Sequence, residues 1–332
     1  MCHHPLRVLR VSVVKIHYDN AMSELFADRL LDAIADKGAP ICVGIDPMFE
    51  MLPDAIAGSG ASRNPNNAAE CIDAIFDFTT KLLQVIAPLV PIVKFQSAYF
   101  EKYYHEGVEA YYSLVQEAHE NGLLVIGDVK RGDIGSTSAA YAQAHLAQPY
   151  FDEMDDVVTP DAITVNPFLG LDTLEPFMKT AGESDKGLFV LVRTSNPGSA
   201  DLQDVKTEDG RTFSEMLADK LAVLAADEKL VGSSGFSAIG AVVGATQTHT
   251  MESLRKRLPK SIFLLPGYGT QGATADMTKA AFRDGRGAIV SASRSILYAH
   301  RDKKYAHLLD QGWEKCVEQA TRDMARDIQQ IL

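Results

Sequence analysis

Short apolar runs recur along the chain, each followed by polar residues and then by a stretch with helical spacing. They are ICVGID (41–46), PIVKFQ (91–96), LLVIGDVK (123–130), DAITVNP (161–167), GLFVLVRTS (187–195), AIGAVVGA (238–245), IFLLPGYG (262–269) and GAIVSASR (287–294). The runs are continuous rather than alternating, which suits strands buried on both faces of a parallel sheet. Between them, residues 66–87 set Ile72, Ile75, Phe76, Leu82, Leu83 and Ile86 three and four apart. Residues 99–120 carry Tyr103, Tyr104, Val108, Tyr111, Tyr112 and Val115 and stop at Asn121-Gly122, a C-terminal cap pair. Residues 213–230 are rich in strong helix formers, and 247–258 end before Pro259. Eight strands alternating with helices predict a single-domain α/β protein, a (β/α)8 barrel of the TIM type. The span from 41 to 300 matches the roughly 250 residues of such barrels. A doubly wound open sheet is the alternative.

Two polar segments, 58–66 and 196–211, are expected as loops on the catalytic face, and the acidic run Asp152, Glu153, Asp155 and Asp156 as a solvated loop. Residues 1–21 are basic and partly apolar, but Arg10 and Lys15 interrupt the apolar run and no small-residue cleavage site follows. They are expected to lie outside the fold, with 22–332 forming the barrel and Ser23 capping its first helix. No stretch reaches the roughly 18 apolar residues of a membrane helix.

Charge narrows the partners. Asp and Glu number 44 against 32 Lys and Arg, a net charge of −12. An acidic chain is a poor general nucleic-acid binder, although a local cationic pocket for an anionic small molecule remains open. The four cysteines, Cys2, Cys42, Cys71 and Cys316, fit neither a zinc pattern nor a disulfide scaffold. They read as reduced and structural, and the expected compartment is the cytoplasm.

In barrels, reactive groups lie at the C-terminal ends of strands. Those ends carry Asp46, Lys94, Asp128, Lys130, Asn166, Thr194, Ser195 and Arg294. Any one alone reads as an ordinary strand-end residue facing water. Together they converge on one mouth. The densest cluster is DVKRGDIGST, residues 128–137. Asp128 and Lys130 are two apart on a strand and point the same way, and Asp133 follows after a turn at Gly132. A lysine flanked by carboxylates is biased toward its ammonium form and suits proton delivery. A surface ion pair is the plainer reading, which Lys94 on the adjacent strand opposes.

A second constellation joins PGYGTQGA (266–273) to SASRSI (291–296), where barrels recurrently bind phosphate. Gly267 permits close backbone approach, Gln271 can donate through its amide, and Arg294 can grip phosphate in bidentate fashion. P-loop, HExxH and GxSxG sequences are absent, no metal site is expected, and His119 and His249 read as ordinary helix-surface residues.

These motifs resemble the orotidine 5′-phosphate decarboxylase family. Its Asp-x-Lys-x-x-Asp run, with Ile next and Thr three further on, stands here as Asp128, Lys130, Asp133, Ile134 and Thr137. GIDP (44–47), VKF around Lys94, TVNPFLG (164–170) and VRTSNPG (192–198) look like its longer bacterial branch. The chain departs from shorter members after the seventh strand, where PGYG replaces their Arg, and at Ser293-Arg294, where they carry Gly-Arg.

The resemblance implies cofactor-free conversion of orotidine 5′-monophosphate to UMP and CO2 in pyrimidine synthesis. It implies Lys130 as proton donor to C6, Asp128 beside the departing carboxylate, and Lys94 binding the ribose hydroxyls and pairing the carboxylates. Asp46 would accept from the ribose. Thr194 and Ser195 would bind the pyrimidine, with Asn166 also at the site, and Arg294, Gln271 and backbone near Gly267 would hold the phosphate. A homodimer is implied, with Asp133 and Thr137 reaching the neighbouring site, and segment 196–211 is the candidate lid. A Mg2+-dependent sugar-phosphate enzyme is the nearest rival, but Lys94 stands where it needs a carboxylate. A Schiff-base aldolase and a catalytically dead phosphate binder are the others; neither Lys130 nor Asp128 is lost.

Overall fold

The computed structural model describes residues 24–59, 64–149, 151, 154, 157–269 and 272–332. Residues 1–21, Ser23, Cys2, the acidic run Asp152, Glu153, Asp155 and Asp156, and Gln271 lie outside the described residues; the first helix begins at Phe26 with Leu25 at its N-cap and no side-chain cap, which corrects the expectation that Ser23 caps it.

Eight parallel strands close into a barrel: β1 (Ile41–Ile45), β2 (Ile92–Gln96), β3 (Leu124–Arg131), β4 (Ala162–Val165), β5 (Gly187–Arg193), β6 (Ser237–Val243), β7 (Ser261–Pro266) and β8 (Ala288–Ala292). Each pairs with its neighbour in sequence, and β8 returns to β1 through Ile41 opposite Val290. Each strand coincides with one of the eight apolar runs, and closure excludes the open sheet. The principal helices are α1 (Phe26–Lys37), α2 (Ala68–Ile86), α3 (Tyr104–Glu120), α4 (Gly135–Leu146), α5 (Glu175–Glu183), α6 (Phe213–Ala225), α7 (Thr248–Arg257) and α8 (Trp313–Gln329).

Alternation along each strand sorts the side chains into two cores. Ile41, Val43 and Ile45 of β1 join Val93, Phe95 and Val125 in the shell beneath the helices. Cys42, Ile92, Ile126, Phe189 and Leu264 fill the barrel itself. Helix α1 closes the bottom by packing Phe26 edge-on against Phe189 at 6.0 Å. Gly187 makes room for that ring, because a Cβ there would stand 2.2 Å from Phe26 Cδ1. Cys42, Cys71 and Cys316 are buried free thiols.

A charged knot also sits at the bottom. Asp161, just before β4, accepts from Arg29 Nη1 at 2.7 Å and Val125 N at 2.8 Å, and pairs with His119 Nε2 at 2.7 Å. His119 is therefore part of a network joining α1, α3 and β4, which corrects its reading as an ordinary helix-surface residue: the end of α3 places its ring against a buried carboxylate. His249 is exposed on α7. Burial pushes the Asp161 carboxyl up, but His119 and then Arg29 hold it below the ordinary carboxylate range.

The periodicity over 99–120 spans two helices. A short one covers Ala98–Glu101, and the chain turns at Tyr104, φ 58°, before α3 continues. Segment 196–211 holds a 3-10 turn at Pro197–Ser199 and a helical turn at Ala200–Gln203 rather than open coil. Arg193 fastens it: Nε and Nη2 each donate to Asp204 at 2.9 Å, and Nη1 donates to Ser199 Oγ. No helix among the described residues is long and apolar enough to cross a membrane.

Candidate active site

The C-terminal ends of the strands open into a cavity of about 780 Å3. Asp46 enters from β1, Lys94 from β2, and Asp128 and Lys130 from β3. Asn166, Thr194 and Ser195 complete the predicted residues that line it.

At its centre stands Asp128, only 5% exposed. Lys94 Nζ donates to its Oδ2 at 2.8 Å, and Lys130 Nζ donates to its Oδ1 at 2.6 Å. Thr164 Oγ1 adds a third hydrogen bond to Oδ1 at 2.7 Å. Register explains the meeting: Lys94 lies opposite Ile126 and Gln96 opposite Asp128 across the β2–β3 ladder, so inward positions of both strands meet at one level. A buried carboxylate is costly unless paired. Burial pushes the Asp128 carboxyl up, yet Lys94, then Lys130, by charge and hydrogen bond hold it below the ordinary range. For Lys94 burial acts the other way, and Asp128 and Asp46 reverse it, leaving the ammonium above the usual lysine value.

Lys130 carries its own signal. Its φ is +45°, a left-handed conformation that a side chain adopts at a cost, and the β3–β4 register shifts between Gly127 and Arg131. Thr164 Oγ1 accepts from Lys130 N at 2.9 Å, so this one hydroxyl fixes both the strained backbone and the carboxylate. Strain of this kind concentrates at functional sites.

The other predicted residues that the structure describes do not line the cavity. Asp133 Oδ1 accepts from Ile134 N at 2.7 Å, and Thr137 is exposed on the first turn of α4; neither lines the cavity within this one chain. Gly132 lies so close to the carbonyl of Asn166 that a Cβ would come within 2.5 Å. Gly267, φ +112°, follows β7 directly. Arg294 begins a short helix, Arg294–Leu297, after β8, with its side chain exposed.

Sequence reading did not single out Thr164, Gln96 or Gln203 for the site. Thr164 and Gln96 share the face of Asn166 and Lys94, two positions away, so alternation could have found them. Gln203 gives no such signal. It arrives from the loop after β5, where its Oε1 accepts from Thr194 N at 2.8 Å. Among the described residues no group of three or more His, Cys, Asp or Glu gathers as a metal would require.

A closed parallel barrel with a lysine–carboxylate–lysine cluster at its C-terminal mouth defines a barrel enzyme built to handle charge. Residues 39–308 match the model of the orotidine 5′-phosphate decarboxylase / HUMPS family. The orotidine 5′-phosphate decarboxylase of Rhodopirellula baltica is 39% identical over 90% of this chain and 97% of its own length. That of Clostridium novyi is 36% identical over 92% and 98%. Among solved structures, Leishmania donovani OMP decarboxylase has a TM-score of 0.68 at 26% identity, covering 92% of this chain and 98% of its own. The chain belongs to the orotidine 5′-phosphate decarboxylase / HUMPS family, and within it to the decarboxylases, which are carboxy-lyases.

Proposed function

We propose that this chain decarboxylates orotidine 5′-monophosphate to uridine 5′-monophosphate in pyrimidine synthesis, with Lys130 as the proton donor. The carrying observation is Asp128 held between Lys94 Nζ and Lys130 Nζ at 2.8 and 2.6 Å. Breaking the bond between C6 and the carboxylate leaves an electron pair on C6, in the ring plane and with little resonance relief. Catalysis must then come mainly from charge placed where that pair develops. Lys130 Nζ stands at the cavity wall, donates its proton to C6 as CO2 leaves, and stabilises the anion before transfer. Asp128 keeps both lysines in place and lies against the departing carboxylate, so that their repulsion ends with bond cleavage.

The remaining contacts are taken from the family resemblance, and of their residues Lys94, Asp46, Thr194, Ser195 and Asn166 line the cavity. Lys94 and Asp46 take the ribose, Thr194 and Ser195 the pyrimidine amide, and Asn166 the adjoining wall. Arg294, Gln271 and the backbone near Gly267 take the phosphate. The 196–211 segment closes over the ring, drawing on phosphate binding energy.

The working form is a homodimer in which Asp133 and Thr137 complete the neighbouring site. An exposed apolar side chain next to Asp133 supports this: Ile134 is 62% exposed. Residues 1–21 are dispensable for the reaction, and the enzyme works in the cytoplasm without a cofactor. The test is to mix the purified chain with orotidine 5′-monophosphate and EDTA and follow UMP formation. Turnover is expected; no UMP, or activity that requires Mg2+, overturns the reading.

A further inference from the structure

Two parts of the candidate site that are distant in sequence are tied together by one phenol. Tyr298 is 5% exposed and lies one turn beyond Arg294, with its backbone N donating to Arg294 O at 3.1 Å. Its hydroxyl accepts from Met48 N at 2.7 Å and donates to Asp46 O at 3.1 Å. Both hydrogen-bonding capacities of the phenol are thus spent on the backbone that carries Asp46. Burial holds the hydroxyl above the ordinary tyrosine pKa, so it remains a donor.

Other contacts brace the same junction. Arg301 Nη2 donates to Glu50 O at 3.1 Å, so the segment after β8 grips the segment after β1 a second time. Gly44 and Ser293 approach until a Cβ on the glycine would stand 2.9 Å from Ser293 Cβ. Asp46 itself is left with Oδ1 buried and without a hydrogen-bond partner among the described residues, on a side chain that lines the cavity. With no hydrogen bond to that oxygen among the described residues, the position of the carboxylate depends on the backbone that carries it and on the Lys94 charge nearby.

We propose that Tyr298 is a positioning residue: it fixes Asp46 for the substrate's sugar and joins that contact to the segment that begins with the phosphate-binding Arg294. The inference rests on the proposed placement of the ribose at Asp46. Tyr298 does not touch substrate. It acts by setting where the Asp46 carboxylate points, and displacing a binding group by a fraction of an ångström is costly in a site that depends on orientation.

The test is a double-mutant cycle on the full chain with orotidine 5′-monophosphate, comparing Tyr298→Phe, Asp46→Asn and the double variant. Tyr298→Phe keeps the ring and its packing but removes both hydrogen bonds. It is expected to lower kcat/KM by about 10- to 100-fold, mostly through KM. Because it acts through Asp46, it should cost less than about threefold more in the Asp46→Asn background. A thermal melt of each variant runs alongside. Lost stability alone reduces the amount of active enzyme, hence apparent kcat, and leaves KM unchanged. A Tyr298→Phe enzyme with wild-type KM, or effects that multiply in full, overturns the positioning role. An Asp46→Asn enzyme with wild-type kinetics overturns the ribose placement beneath it as well, and so tells the two failures apart.

Discussion

Asp128 is held below the ordinary carboxylate range against a burial penalty that acts in the opposite direction. The sign of its linkage follows. A carboxyl depressed on folding contributes stability above its unfolded pKa of about 3.9, and that contribution fades as pH falls toward the folded value. Lys94 is the largest of the opposing influences. Replacing it with Met leaves burial less opposed and raises the Asp128 pKa. The acid limb of kcat/KM should therefore move to higher pH, and a profile from pH 4 to 8 reads the shift directly. An unmoved limb would mean that Lys94 does not govern this carboxylate. At this scale the sequence was informative wherever alternation applied. Lys94, Asp128 and Lys130 sit on inward positions of runs whose strand character is plain. Tyr298 was hidden because its partners are backbone groups after β1, brought close only by barrel closure; Gln203 was hidden because it meets Thr194 only through the folding of its own loop after β5.

The barrel divides its elements between two tasks. The upper ends of the strands carry the charged cluster, and the lower ends carry Asp161 with Arg29 and His119. Removing one partner of a buried pair costs about 3–5 kcal/mol. Asp161→Asn should lower unfolding free energy by about 3 kcal/mol at neutral pH. Because the Asp161 pKa is depressed, the loss should shrink as pH falls below the unfolded carboxyl value of about 3.9. Urea midpoints at two pH values measure both effects, while KM should stay at its wild-type value. A variant as stable as wild type would remove the knot from the account of stability. The strands were legible because each is an unbroken apolar run. Helix α4, GSTSAAYAQAHL, was not, because it buries only Ser138, Ala142 and Leu146 and so lacks an apolar stripe. The break at Tyr104 was invisible for a different reason: the aromatic spacing runs through it, and the turn depends on a positive φ that periodicity does not encode.

At the scale of the whole molecule, the barrel supplies one cavity from seven strand ends and loops, while Asp133 and Thr137 stay outside it within one chain. If the partner supplies them, complementation follows from two-fold symmetry. Lys130→Ala and Asp133→Ala chains are each expected to be inactive alone. Co-expressed, they form mixed dimers in which one site has Lys130 from one chain and Asp133 from the other. Random pairing makes half the dimers mixed, each with one intact site, so activity should recover to about a quarter of wild type. No recovery in mixed dimers isolated by two affinity tags would place Asp133 in its own chain's site or outside the reaction.

The central claim is that Lys130 Nζ, held at Asp128, protonates C6 as CO2 departs. The most direct test is the single-turnover rate of UMP formation by Lys130→Ala beside wild type, with folding checked by circular dichroism. General acid catalysis is worth about 10²–10⁴-fold, and loss of the charge that stabilises the carbanion adds to it. The rate should therefore fall by at least about 10³-fold in a protein that still melts cooperatively. A well-folded Lys130→Ala enzyme within tenfold of wild type would contradict the mechanism outright.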